Sequence, residues 1–155
     1  MKEYSINNKV IKKEARVNCS VKTVWQKWTT HDGLKTFFGA DNKIELQMGG
    51  AFEIYFLMDN PYGLRGSEAC KIISYLPEKM LSFSWNAPPH FPEIRNHAHK
   101  TWVVVLFHAV DENNTMIEIN HLGWNDDSGF DQVLDYFNHA WQVVLTNFEK
   151  SCTAN

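Results

Sequence analysis

The apolar periodicity of the last segment limits what this chain can fold into more than any other feature. Phe130, Val133, Leu134, Phe137, Trp141, Val144, Leu145 and Phe148 fall on one side of a helical wheel, and Asp131, Asp135, Asn138, Gln142 and Glu149 fall on the other. With Ser128 as N-cap and Lys150 at the far end, the spacing predicts a helix roughly 34 Å long at 1.5 Å per residue. A stripe of that length needs a broad apolar partner surface, which the upstream residues must supply.

Upstream, the period changes several times. Lys9 to Val17 reads as a strand. Ser20 can cap a short helix whose buried face is Val21, Val24, Trp25 and Trp28. Thr30 can cap a second, with Leu34, Phe37 and Phe38 as its apolar face and Gly39 ending it. From Lys43 the period is two: Ile44, Leu46 and Met48 alternate with polar neighbours, Gly49-Gly50 supplies a hairpin turn, and Phe52, Ile54 and Phe56 continue the alternation. Further strands are predicted over Ser67–Tyr75, around Leu81, Phe83 and Trp85, over Thr101–Val110 and over Thr115–Gly123. Proline marks Pro88–Asn96 as a loop.

The order of strand, two short helices, six strands in meander and long helix predicts an α+β fold with its helices on one face. Seven strands about 4.8 Å apart make a sheet near 30 Å wide, whereas a helix is about 10–12 Å across. The sheet must therefore curve around the helix, and a curved sheet against a straight helix leaves room for a cavity.

Composition narrows the partners. At 155 residues, with no repeat or linker, residues 1–155 are expected to form one domain able to bury its own core. A net charge of −3 and a pI near 6.1 argue against nucleic acid, which calls for a basic face. The polar stretch Met1–Val10 has no signal-peptide core, and no apolar run is long enough for a membrane span. Cys19, Cys70 and Cys152 are odd in number and far apart, as expected of reduced thiols in a cytoplasmic protein. Six Trp, five Tyr and ten Phe are an unusually large share, and such side chains carry large buried areas or line ligand sites.

Several segments together resemble a known superfamily. Val24-Trp25-Gln26-Lys27-Trp28-Thr29-Thr30, followed by Leu34 and Phe37-Phe38-Gly39, is similar to the opening of START-like, or SRPBCC, proteins. The Gly49-Gly50 turn, Leu81-Ser82-Phe83-Ser84-Trp85, and His121-Leu122-Gly123-Trp124 ahead of the last helix resemble one branch of it. That branch comprises homologues of the C-terminal domain of the activator of the ninety-kilodalton heat-shock chaperone ATPase. The resemblance spans about residues 9 to 150. It implies a helix-grip fold with a cavity that takes apolar molecules in various members, and it implies no single activity.

The candidate lining of that cavity is Trp28, Phe38, Phe56, Phe83, Trp85, Trp102, His121, Phe137, Trp141 and Val144. For Phe137, Trp141 and Val144, core and pocket wall are both open readings. His121 shares an inward strand face with Thr115, Ile117 and Ile119, as a core histidine bonded to backbone or as a polar group orienting a ligand. Trp85 and Trp102 can each offer an indole N–H, most simply to a backbone carbonyl. His97 and His99, with His90 nearby, pose a metal question, but no third ligand is visible and none is assigned. Asp126, Asp127, Asp131 and Asp135 suit a helix start, and Cys70 suits packing. No G-x-S-x-G, phosphate loop or H-E-x-x-H is present, so no cofactor is expected.

Three functions compete: binding of a small apolar molecule, association with a chaperone, and a cyclase- or hydratase-like activity using His121. An enzyme is the least favoured, because only one polar group is placed inward.

Overall fold

The structure is a computed structural model that describes residues 6–153. Its elements are β1 (Ile11–Val17), α1 (Val21–Thr29), α2 (His31–Lys35), β2 (Asp41–Ile44), β3 (Phe52–Tyr55), β4 (Ile72–Leu76), β5 (Met80–Trp85), α3 (Pro92–Arg95), β6 (Thr101–Asp111), β7 (Asn114–Leu122) and α4 (Phe130–Thr153). Five strands pair antiparallel in the order β1-β7-β6-β5-β4, and β2 pairs with β3. The two parts join where Gly49–Phe52 runs beside Cys70–Ile72: Ile72 N donates to Gly50 O and Phe52 N to Cys70 O, at 2.8 and 2.9 Å. Together they form one curved antiparallel surface around α4, the helix-grip arrangement.

Strict alternation sets the inner face. Thr101, Val103, Val105 and Phe107 of β6 are buried, as are Thr115, Ile117, Ile119 and His121 of β7. The register places Val103 opposite His121 and Val105 opposite Ile119. Slipping either strand by one residue would turn these rows to solvent, which locks the pairing. Onto this face α4 lays Phe130, Val133, Phe137, Trp141, Leu145 and Phe148. Its C-terminal end meets the helical pair: the Phe148 ring lies 4.7 Å from Phe37 and 5.9 Å from Trp28.

Both short helices are capped as their residues predict. Ser20 Oγ accepts from Thr23 N at 3.2 Å, and Thr30 Oγ1 accepts from Gly33 N at 3.0 Å. The second helix, however, stops at Lys35. Phe37 and Phe38 follow it in a closing turn in which Phe37 N, Phe38 N and Gly39 N all reach Leu34 O. This lets Phe37 turn to Phe148 while Phe38 turns to Trp141, a divergence that one helical face could not supply.

Four details of element placement also differ from expectation. β2 ends at Ile44, and Leu46 and Met48 are exposed, because the 45–50 segment is spent on a turn that delivers Gly49 N to Ile72 O. Ser67–Lys71 lies ahead of β4 rather than in it, with Ala69 at φ 67. The proline loop contains α3, begun by Pro92, which turns Arg95 inward. The long helix starts at Phe130, after Gly129 at φ 98, rather than directly after Ser128.

A Cβ on Gly33 would stand 2.4 Å from Lys27 Cα and 2.6 Å from backbone oxygens of α1, so this glycine sets how closely α1 and α2 approach. Gly33→Ala is expected to lower stability by about 1–3 kcal/mol through forced separation of the two helices. Urea denaturation checks it, and an unchanged midpoint would mean that the pair is not packed this tightly.

Candidate functional site

The stripe that α4 buries does not account for all its apolar residues. Tyr136, Phe137, Ala140, Trp141, Val143 and Val144 recur at helical spacing along one flank and form a wall of a cleft of about 290 Å³. Phe38, Phe56 and Trp85 form the facing wall, with Gly66, Ser67, Asn86, Pro88 and His139 around them. The three inner rings pack on one another: Phe38 is edge-on to Trp141 at 5.8 Å, Trp85 lies 5.4 Å from Trp141, and Phe38 lies 5.6 Å from Trp85. They make a rigid aromatic floor. Phe56, by contrast, is 53% exposed at the mouth.

Behind the floor lies a buried hydrogen-bonded row. Trp141 Nε1 donates to His121 Nδ1 at 2.9 Å, so the ring proton sits on Nε2 and is donated to Thr101 Oγ1 at 2.7 Å. The imidazole is therefore neutral, and burial pushes its pKa from 6.5 down to about 3. The His121 carbonyl accepts from Trp124 Nε1 at 3.0 Å. His121 thus partners side chains through its ring, where a backbone partner or a ligand was expected.

The far edge of the cleft is held by a charge pair that sequence patterning does not reveal. Arg95 and Glu68 side chains are 6% and 5% exposed, and Arg95 Nη2 lies 3.3 Å from Glu68 Oε1. The guanidinium also donates to Gly66 O, Ala87 O and Gly63 O, each at 2.7 Å. Glu68 accepts from the backbone N–H groups of Gly63, Arg65 and Gly66. Burial by itself would raise the Glu68 carboxyl, but these N–H groups more than offset it and hold it below the usual carboxylate range. The guanidinium ties carbonyls of the 63–68 turn to one after β5, and the carboxylate gathers N–H groups of the same turn, so the pair shapes the rim around Gly66 and Ser67. A second carboxylate, Glu53, is also buried and accepts from Tyr55 and Tyr62 hydroxyls at 2.8 and 2.7 Å.

The expected lining residues separate into three groups. Phe38, Phe56, Trp85, Phe137, Trp141 and Val144 border the cleft. Trp28, Phe83 and His121 are fully buried away from it: Trp28 is 4.9 Å from Phe37, Phe83 stacks on Phe52 at 4.0 Å, and His121 stands behind Trp141. Trp102 must be corrected outright. It alternates with buried Thr101 and Val103, so it occupies the opposite face of the sheet, where its ring covers Gly123. The indole of Trp85 was expected to find a carbonyl, yet its buried Nε1 has no hydrogen-bond partner among the described residues.

The remaining candidates have structural partners. His97 Nε2 is 2.9 Å from Asp127 Oδ2, His99 Nε2 is 2.5 Å from Gly123 O, and His90 packs on Phe91 and Tyr136. Asp131 pairs with Lys9 at 2.8 Å, and Asp126 accepts from Asn7. No group of three or more His, Cys, Asp or Glu among the described residues could hold a metal. The Cys70 thiol is pushed up to about 12 by burial, which suits packing rather than attack. Sequence reading missed Tyr136, Ala140 and Val143, whose signal was the widening of the apolar stripe in the middle of α4.

The model of the activator of Hsp90 ATPase homolog 1-like protein family matches residues 18–152. The chain belongs to that family. Its fold is similar to that of a Mesorhizobium loti protein, with 15% identity over 92% of this chain and 96% of that one and a TM-score of 0.71. The Aha1 dimer from Colwellia psychrerythraea gives 18% identity, 93% and 96% coverage and a TM-score of 0.68. An HSP90 activator from Plasmodium falciparum gives 18%, 90% and 93%, and 0.67. At such identities the likeness is one of fold. No curated protein sequence matches significantly. No helix among the described residues is long and apolar enough to cross a membrane.

Two outcomes follow from the buried polar groups. The unfolded chain takes up a proton on His121 near pH 6.5 that the folded state refuses until about pH 3. The stability contributed by the neutral ring is therefore complete above about 6.5 and falls as pH drops toward 3. His121→Gln, which keeps an acceptor for Trp141 without this titration, should flatten the acid side of a urea stability–pH profile; an unaltered slope would contradict the neutral imidazole. Arg95→Met, which strands a buried carboxylate, is expected to cost about 3–5 kcal/mol, with part of the loss recovered when Glu68→Met is added. Denaturation midpoints of the single and double variants decide it.

Proposed function

We propose that this family member binds a compact apolar molecule carrying a hydrogen-bond acceptor in the cleft beside α4. The observation that carries the reading is an aromatic-floored cleft that the protein's own side chains leave open, flanked by Tyr136 and Val143, which a purely structural helix face would make polar. Its volume of about 290 Å³ lies near the lower end of ligand sites, about 300–1,000 Å³. That favours a short acyl chain or a small ring system over a multi-ring lipid.

Two of the lining residues carry a donor with nothing to bond among the described residues. Ser67 Oγ, already accepting from Ile54 N at 2.7 Å, has its hydroxyl proton left to give, and Trp85, a floor residue, carries a buried indole N–H without a partner among the described residues. The neighbouring charges, Arg95 and Glu68, satisfy each other and adjacent backbone, so an ionised ligand gains no partner from them. A ketone or ester oxygen suits such a wall better than an amine.

Filling the cleft is the direct test. A medium-chain ketone such as 2-nonanone should change tryptophan emission saturably, and Ala140→Trp, which adds bulk at a partly exposed wall position, should weaken binding by about tenfold or more, equivalent to about 1.4 kcal/mol. Equal binding by Ala140→Trp, or no binding by any ketone, ester or hydrocarbon of this size, would refute the reading.

A second reading, association with a chaperone, draws on the family and on relatives described as Hsp90 activators. It is favoured by the apolar residues exposed beside the cleft mouth, Phe56, Leu57, Met58, Tyr62 and Leu64. Loss of chaperone capture in Leu57→Ser with Met58→Ser, without loss of ketone binding, would separate the two. The enzyme reading fares worse, because both ring nitrogens of His121 are engaged within the core and neither is available to a molecule in the cleft.

A further inference from the structure

Two cysteines that the sequence separates by 133 positions come together in the fold: Cys19 Sγ lies 3.9 Å from the carbonyl oxygen of Cys152. Cys19 ends the turn between β1 and the Ser20 cap of α1, and its own carbonyl is tied by Thr115 Oγ1 at 2.8 Å. Cys152 lies in the last turn of α4, where Ser151 Oγ anchors to Phe148 O at 2.7 Å. Both cysteines are free and half-buried, whereas Cys70 is enclosed in the core.

We propose that Cys19 and Cys152 form a reversible oxidation site, closed to an intramolecular disulfide by low-molecular-weight disulfides such as oxidised glutathione. The chemistry is two exchanges. Cys19 thiolate attacks one sulfur of the oxidant, releasing one thiolate and leaving a mixed disulfide. Cys152 then attacks the Cys19 sulfur, releasing the second small thiol. Two protein thiols are oxidised, one external disulfide is reduced to two thiols, and the protein loses two hydrogens.

The order of attack follows from the surroundings. Burial first, and then the adjoining Cys19 thiol, push the Cys152 thiol up to about 12, so it is a poor initial nucleophile. Capping of Cys19 removes the second of these influences just when Cys152 is needed. Closure would staple the C-terminal end of α4 to the β1–α1 turn. The bond would join two segments that already touch, and the long closed loop restricts the unfolded chain.

The full chain, incubated natively with oxidised glutathione, should lose two hydrogens by intact mass, retain one titratable thiol on subsequent unfolding, and give a peptide linking Cys19 to Cys152 after digestion. Its melting temperature should rise by about 5 °C or more and return with dithiothreitol. Cys152→Ser should instead accumulate a glutathione adduct at Cys19, and Cys70→Ser should oxidise like the native chain. Stable glutathionylation without closure in the native chain, a bond involving Cys70, covalent dimers alone, or no oxidation at all would each overturn the proposal. Because the site is remote from the cleft, none of these outcomes bears on ketone binding.

Discussion

The hydrogen bond from Trp141 to His121 is the interaction on which the arrangement of the cleft depends. An amphipathic helix on an apolar sheet can roll by several degrees at little cost, since hydrophobic burial has no direction. A buried indole N–H that must find a nitrogen lone pair cannot. Once Trp141 is held by Nδ1, the imidazole tautomer is set, Thr101 receives the remaining proton, and the roll of α4 is defined. Tyr136, Ala140 and Val143 then border the cleft. A residue that does not touch the cleft thereby decides which residues do.

The opposite rim is organised by a different force. Between Phe56 and Cys70 the chain has neither helix nor extended strand, so its backbone groups need partners from elsewhere. Glu68 and Arg95 provide them, one collecting amide protons and the other collecting carbonyl oxygens. Desolvating two charges is costly, and a pair of apolar residues could be as stable. What the ion pair supplies is shape: it fixes an irregular turn so that Gly66 and Ser67 border the cleft beside Asn86 and Pro88.

How much of this was legible in the sequence follows from the range of the forces involved. The caps at Ser20 and Thr30, the buried stripe of α4 and the inward rows of β6 and β7 arise from neighbours within a few residues, and the pattern shows them. The Arg95 and Glu68 knot joins residues 27 apart in irregular backbone, where no period exists to read. The meeting of Cys19 with Cys152 is likewise a product of topology alone. Trp102 was a different kind of miss, since Thr101, Val103 and Val105 share a phase that excludes it and already directs it outward. Leu46 and Met48 followed the strand alternation and were still overruled, because the backbone beyond Ile44 gains more by turning toward Ile72.

In the middle of α4, the residues that fill the core and those that border the cleft diverge. Phe130, Val133, Leu145 and Phe148 are buried in the core cluster, and their apolar character needs no other explanation. Val143, 47% exposed, and Tyr136, 39% exposed, contribute little burial where they stand, and a sequence shaped for folding alone would place charge there, as it does at Asp131, Asp135 and Glu149. Apolar side chains kept at the edge of an open, aromatic-floored cleft gain their full burial only when something else covers them. Trp141 belongs to both sets, with its N–H spent on His121 and its ring on the cleft, so the helix's hold on the sheet and the floor of the site are made by the same side chain.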